Sequence, residues 1–235
     1  LELVQIFIDR IREVNIYLNC VVETCFEQAI EEAKFVDNLL AQEKLSDEYS
    51  VENAPLLGVP FSCKESFWVK GMPNTSGLIA RKDFKAPDDA DVVKNMRKAG
   101  AILTCLTNTS EACMWFESNN YLYGVSNNPY NLSRWDYQSK IIFKSKKSKF
   151  CLLIFRIVGG SSDGEGCLVS SAGSVMGIGS DIGGSIRMPA FFNGVYGHKP
   201  SSHLISNDHQ HPPASGIQCD MLSTGPICRY VKKKD

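Results

Sequence analysis

Apolar residues recur at helical spacing through Val4, Phe7, Ile8, Ile11 and Val14, and again through Phe26, Ala29, Ile30, Ala33, Val36 and Leu40. Each set falls on one face of a 3.6-residue repeat, which predicts two amphipathic helices before residue 45, both packed on a sheet. The polar stretch 42–53 predicts a loop, and residues 56–62 a short buried strand that delivers Lys64 at its end. Asp88 and Asp89 stand where helix caps belong, ahead of Val92, Val93, Met96 and Ala99. Gly100 stops that helix, and 101–106 reads as an apolar strand. Residues 175–179 form a further short apolar run, followed by a turn over 181–185 and a helix start over 186–192. Helix and strand alternating in this way predict an α/β domain with a largely buried sheet.

The pattern breaks between residues 135 and 158. Residues 140–150 carry five lysines, and 151–155 are apolar. Such a run fits a membrane-surface or nucleic-acid patch, or an exposed insertion or translated intron. The insertion reading is preferred, over 135–156, because the segments on either side belong together. The rest reads as a single domain over 1–235. The chain opens at Leu1 already inside a helical pattern and closes on Lys232, Lys233, Lys234 and Asp235 without a closing element. It is therefore expected to be part of a longer protein, truncated at both ends, or the product of a faulty gene model.

Composition narrows the class without changing this picture. With 235 residues, 43% hydrophobic and 22% charged, the chain is an ordinary globular one, and a net charge of -1 gives no global field toward nucleic acid. The nine cysteines are odd in number and lack zinc-site spacing. Reduced thiols in an intracellular setting are the expectation.

The chemistry is concentrated in GGSSDGEGCLVSSAGSVMGIGSDIGGSIRMPAFFNGVYG, residues 159–197. A flexible linker would leave Val175, Met176, Ile178, Ile182, Ile186, Met188, Phe191 and Phe192 exposed. A phosphate cradle lacks its GxxxxGKS/T motif. The remaining reading is an active site in which backbone amides approach a substrate closely, with Ser185 at a helix start where free N–H groups favour an oxyanion. On local pattern alone, Asp181 reads equally well as a turn residue.

GGSSDGEG (159–166) and GIGSDIGGSIRMPA (177–190) resemble the signature of the amidase signature enzymes, which hydrolyse amides through a Ser/cis-Ser/Lys triad. Ser161 and Ser185 reproduce the family's 24-position separation, and Gly58-Val-Pro-Phe-Ser-Cys-Lys64 matches its lysine segment. PLLGVPFSCKESF, GMPNTSGL, CMWFESNN, YGVSNNPYNL and RMPAFFNGVYGHKPS most resemble the type 2 fatty-acid amide hydrolase branch. Joining residue 134 to 157 restores that branch's wording.

The resemblance implies a central mixed twisted β-sheet covered by helices on both faces, with only the N-terminal portion of that fold in this chain. It implies Ser185 as nucleophile, Ser161 as proton relay after a cis bond from Gly160, and Lys64 as a neutral base. That last role needs burial or a hydroxyl-rich surrounding that favours amine over ammonium. The N–H groups of Ile182, Gly183, Gly184 and Ser185 would form the oxyanion hole, with Ser162, Asp181 and Arg187 bracing the loops. No cofactor and no metal are implied. The implied partner is a small amide of lipid type and not nucleic acid, with membrane association of the longer relative through other parts, and a homodimer. Asp163 stands where the family has glycine; if the position demands positive φ, or if the carboxylate points at Lys64, activity falls.

Other features weigh less. His203, His209 and His211 share a Pro/Asn/Ser-rich loop and read as solvated rather than metal-binding. Asn74, Asn108 and Asn131 begin glycosylation-type tripeptides. Trp115 and Phe116 read as core or pocket wall. Two further functional readings stand beside the first. One is a glutamine amidase of an amidotransferase, which RMPAFFNGVYGHKPS disfavours; the other is a non-catalytic remnant.

Overall fold

The computed structural model describes residues 1–42, 46–117, 119–130 and 157–231. The expected insertion at 135–156, the lysines at 232–234 and the Asn131 tripeptide lie outside them. Helix α1 spans Glu2–Leu18 and α2 Phe26–Leu40. The stripe of α1 buries Val4, Ile8, Ile11, Val14 and Leu18, and that of α2 buries Ala29, Ala33 and Val36, whereas Leu40 stays exposed. Asn19 ends α1 in the left-handed conformation, which a short amide side chain tolerates. Asn15 Oδ1 then accepts the N–H groups of Cys20 and Val21, both at 2.8 Å, and turns the chain into strand β1, Val21–Thr24. The sequence pattern missed this strand because it is four residues long and sits between two strong helical repeats.

Strand β2 (Pro60–Lys64) carries Lys64 as its last residue; α3 (Asp91–Lys98) and β3 (Ile102–Thr107) follow. The expected capping of α3 by Asp88 and Asp89 is not what forms. Ala90 is the cap residue, fully buried, with its N–H on Trp68 O at 2.8 Å. That backbone anchor turns the aspartates outward: Asp88 meets Lys94 Nζ at 2.6 Å, and Asp89 accepts the Lys70 N–H at 2.8 Å. A two-stranded pair, β4 (Asn119–Asn120) and β5 (Gly124–Val125), stands apart from the main sheet. The Gly/Ser-rich region supplies α4 (Asp163–Ser170), β6 (Met176–Asp181), α5 (Arg187–Phe192) and β7 (Tyr196–Gly197). Helix α6 (Ile217–Met221) and strand β8 (Ser223–Cys228) complete the described chain.

The main sheet has six strands in the order β1-β3-β2-β6-β8-β7. Its centre, β3-β2-β6, is parallel, while β1, β8 and β7 pair antiparallel with their neighbours, so the sheet is mixed as the resemblance implies. Every residue of β2 and β3 is buried, which requires cover on both faces. On one face Phe61, Cys63, Leu103, Leu106 and Ile178 pack with Val92 and Val93 of α3. On the other, Ile102 packs with α1 and α2, and Cys105 with α1 and with Cys167 and Leu168 of α4. No helix among the described residues is long and apolar enough to cross a membrane. The described cysteines are free thiols.

Helix α4 starts where there is no room for a side chain. A Cβ on Gly164 would lie 2.5 Å from Asn108 N, 2.7 Å from Asn108 O and 2.7 Å from Cys20 O. All three are backbone atoms at the ends of β3 and β1, and they cannot rotate away. Gly164→Ala is therefore expected to lower stability by about 3 kcal/mol, at the upper end for an overpacked interior, as read from urea unfolding.

Candidate active site

Three segments distant in sequence meet at the ends of the parallel strands. Lys64, fully buried at the end of β2, donates from Nζ to Ser161 Oγ at 2.7 Å and to Ser180 Oγ at 3.3 Å. Among the described residues it forms no ion pair, so its partners are hydroxyls. Ser180 comes from β6, the parallel neighbour of β2. Ser161 comes from the turn before α4, after a cis bond between Gly160 and Ser161. Its carbonyl accepts Thr109 Oγ1 at 2.9 Å.

The Ser161 turn is fastened to the Ser185 turn. Ser162 N–H donates to Ser185 O at 3.0 Å, and the Ser162 hydroxyl meets the backbone of Ser180, with N and O each at 3.3 Å. Asp181, fully buried, organises the loop that follows β6. Its Oδ1 accepts Gly184 N–H at 2.7 Å, and its Oδ2 accepts the N–H groups of Ile186 at 3.1 Å and Arg187 at 3.3 Å. Arg187 adds Nε at 3.0 Å and a second guanidinium nitrogen at 2.9 Å. Burial opposes ionisation of Asp181, but the guanidinium and then the backbone N–H groups outweigh it and hold the carboxyl below the usual aspartate range. The bracing roles implied for Ser162, Asp181 and Arg187 thus have a geometric counterpart.

A carboxyl held low stabilises the fold fully above its ordinary value of 3.8, and that contribution is lost as pH falls through the depressed value. Asp181→Asn is expected to cost about 2 kcal/mol at neutral pH, less than a fully buried pair because the Arg187 side chain is 53% exposed. The variant's melting temperature should also lose part of the wild-type fall in acid. An Asp181→Asn protein as stable as wild type at pH 7, and equally acid-sensitive, would remove Asp181 as the loop's anchor.

Ser185 is half-buried and lines a cleft of about 130 Å³ with Ser161, Ser180, Ile182, Gln210 and His211. Of the four N–H groups expected to face an oxyanion, that of Gly184 is taken by Asp181. Those of Ile182, Gly183 and Ser185 have no partner among the described residues. The buried carboxylate thus claims one of the four and leaves three N–H groups of this loop without a partner among the described residues.

Asp163 does not occupy a left-handed position. It is the first residue of α4, with helical backbone angles, so the glycine expected there is not demanded by φ. Asp163 and Glu165 both lie in the first turn of α4, where the helix dipole favours negative charge. The histidines diverge. His203 meets Asp220 at 2.9 Å, His209 stacks against Trp68 with ring centroids 4.9 Å apart, and His211 faces the cleft, where burial pushes its imidazole toward the neutral form. Asn74 and Asn108 are fully buried, which leaves neither open to glycan attachment in the fold. Trp115 and Phe116 are corrected to surface residues, 57% and 44% exposed and stacked on one another, and Met114 beside them reaches the cleft instead.

Sequence reading also passed over Ser180, Thr109 and Gln210. The last is 7% exposed on the cleft wall, with its Nε2 lacking a partner among the described residues. A single glutamine in a polar loop carries no pattern that would have marked it.

Known proteins are similar to this chain in sequence and in fold. The family model described as Amidase matches residues 2–136 and 154–234. Fatty-acid amide hydrolase 2 of Homo sapiens is 50% identical over 233 residues, 99% of this chain and 40% of the relative. Fatty-acid amide hydrolase 2-A of Danio rerio is 47% identical over 98% of this chain and 39% of the relative. The chain thus spans about two fifths of the length of these relatives. Among solved structures, a fatty acid amide hydrolase superposes with a TM-score of 0.81 at 27% identity, over 97% of this chain and 35% of that one. The peptide amidase of Stenotrophomonas maltophilia gives 0.77 at 28% identity, over 97% and 41%. Since the family model matches residues 2–136 and 154–234 of this chain, the chain belongs to the amidase family.

Proposed function

We propose that this chain carries the reactive centre of a cofactor-free amide hydrolase in which Ser185 is the nucleophile, Ser161 the proton relay and Lys64 the base. The observation that carries the reading is the buried 2.7 Å contact between Lys64 Nζ and Ser161 Oγ, in the same cleft as Ser185. Neutral Lys64 takes a proton from Ser161 as Ser161 takes one from Ser185, and Ser185 Oγ attacks the amide carbonyl. The carbonyl oxygen, now negative, receives the N–H groups of Ile182, Gly183 and Ser185, each such donor contributing about 3 kcal/mol in comparable sites. The proton returns through Ser161 to the leaving amine, and water cleaves the acyl ester by the same relay.

Fatty-acid amides or related N-acyl amines are the proposed substrates. The similarity to fatty-acid amide hydrolases supports this class, as does an apolar cleft wall of Met114, Ile182 and Leu222. The cleft is smaller than the roughly 300–1,000 Å³ of a complete ligand pocket, so the acyl chain extends beyond the walls this chain provides. The test is to treat the folded chain with a fluorophosphonate and map the adduct. Attachment at Ser185, slowed by long-chain amides more than by short ones, supports the reading. Equal slowing by both points to an amidase for small amides such as glutamine. A folded chain that stays unlabelled is the non-catalytic remnant.

A further inference from the structure

A second carboxylate sits beside the proposed centre on a residue the triad does not use. Glu165 lies in the first turn of α4, one helical turn past Ser161, and is fully buried. Ser62 Oγ donates to its Oε2 at 2.5 Å, and Thr107 Oγ1 to its Oε1 at 2.7 Å. Both donors are bound up with Lys64. Ser62 precedes Lys64 by two residues on β2 and so shares its face, and Thr107 is its register partner on β3. Gly177 on β6 leaves the room: a Cβ there would fall 1.7 Å from Glu165 Oε2. One carboxylate therefore ties the helix after Ser161 to the strand of Lys64 and to that strand's neighbour β3.

Several titratable groups surround Glu165. Lys64 on β2, Cys105 on β3, Cys20 ahead of β1 and Asp163 on its own helix lie on its side of the sheet, and Cys63 of β2 feels its charge from the opposite face. Burial pushes the Glu165 carboxyl up to about 8; the Ser62 and Thr107 hydrogen bonds and the Lys64 charge oppose the rise, and Asp163 adds to it. The thiols of Cys63 and Cys105 are themselves pushed up, first by burial and then by the Glu165 charge. Lys64 is thus the cation that faces Glu165 from a neighbouring strand.

We propose that Glu165 is a positioning residue for Lys64, locking the Ser161 turn against the lysine's strand and setting, through its charge, the pH dependence of the relay. The proposal rests on the hydrolase reading above. A negative charge on Glu165 opposes removal of a proton from the neighbouring relay, and glutamine at this position takes that charge away.

The experiment measures the fluorophosphonate labelling rate of the chain against pH for wild type and Glu165→Gln. Glutamine keeps the size and most of the hydrogen bonding but cannot ionise. The acid limb should move to lower pH by about one unit. A purely structural role would lower the rate at every pH and leave the limb where it was, which would overturn the proposal. If Glu165→Gln melts below the assay temperature, Thr107→Val serves instead. It withdraws a donor that favours the ionised carboxyl, so the limb moves in the same direction by less, and an unmoved limb again counts against the idea. Labelling of wild type at Ser185 with no shift in either variant would sink this inference alone, whereas a folded wild type that never labels sinks the hydrolase reading with it.

Discussion

Replacing Ser185 with alanine is expected to abolish fluorophosphonate labelling and leave the fold in place. The Ser185 hydroxyl lines the cleft and has no partner among the described residues; what Ser185 contributes to the structure is its carbonyl, which accepts Ser162 N–H at 3.0 Å and survives the substitution. The cost in stability should stay near ~0.5 kcal/mol, as for a change that opens no cavity and orphans no buried group. The loss in rate should be on the order of a million-fold, because without the nucleophile only binding and oxyanion stabilisation remain. Ser161 and Ser180 do not substitute for it, since each hydroxyl is engaged by Lys64. Intact-mass measurement after saturating exposure decides the matter. A Ser185→Ala chain that still takes up one probe places the nucleophile elsewhere.

The second large effect belongs to Lys64. Lys64→Met keeps an unbranched side chain of similar length in a fully buried site, so the strand should still pack. The labelling rate should fall by roughly a hundred- to ten-thousand-fold, the usual contribution of a general base. Lys64→Arg is the sharper variant. It restores a cation and several donors, yet a guanidinium does not give up its proton, so the rate should stay as low as with methionine. Recovery with arginine would mean that Lys64 acts by charge or hydrogen bonding and not as a base. Thermal melts of both variants separate chemistry from unfolding.

What could be read from the chain before its structure, and what could not, follows from the range of the interactions involved. The amphipathic stripes of α1 and α2 are local, and so is the apolar run ending at Lys64; each appears where expected. Strand β1 was hidden because its reason for existing is β3, more than eighty residues on, to which Thr24 pairs opposite Cys105. The Asp88 and Asp89 caps failed for a similar cause: the buried anchor of Ala90 on Trp68 sets the start of α3, and no local pattern records it. At the candidate site, glycine density and motif spacing marked Ser161, Ser185 and Lys64, which the fold brings to one place. They could not show that Asp181 claims the Gly184 N–H, since that depends on where a carboxylate points. Glu165 had a faint signal, an acidic residue between two glycines in a stretch otherwise poor in charge, but its partners Ser62 and Thr107 lie far off in sequence.

The sheet also dictates when chemistry can begin. Lys64 leaves β2, and Ser180 and the Ser185 turn leave β6, so the proposed base and nucleophile meet only once Phe61, Ser62 and Cys63 have paired with Met176, Gly177 and Ile178. Parallel pairing between segments this far apart is a late and slow event in folding, because a long loop must close before any contact rewards it. On a ribosome the lysine therefore emerges long before its partner strand exists. The nascent chain carries Lys64 without its partners throughout that interval, and the proposed centre assembles as a unit when the middle of the sheet closes.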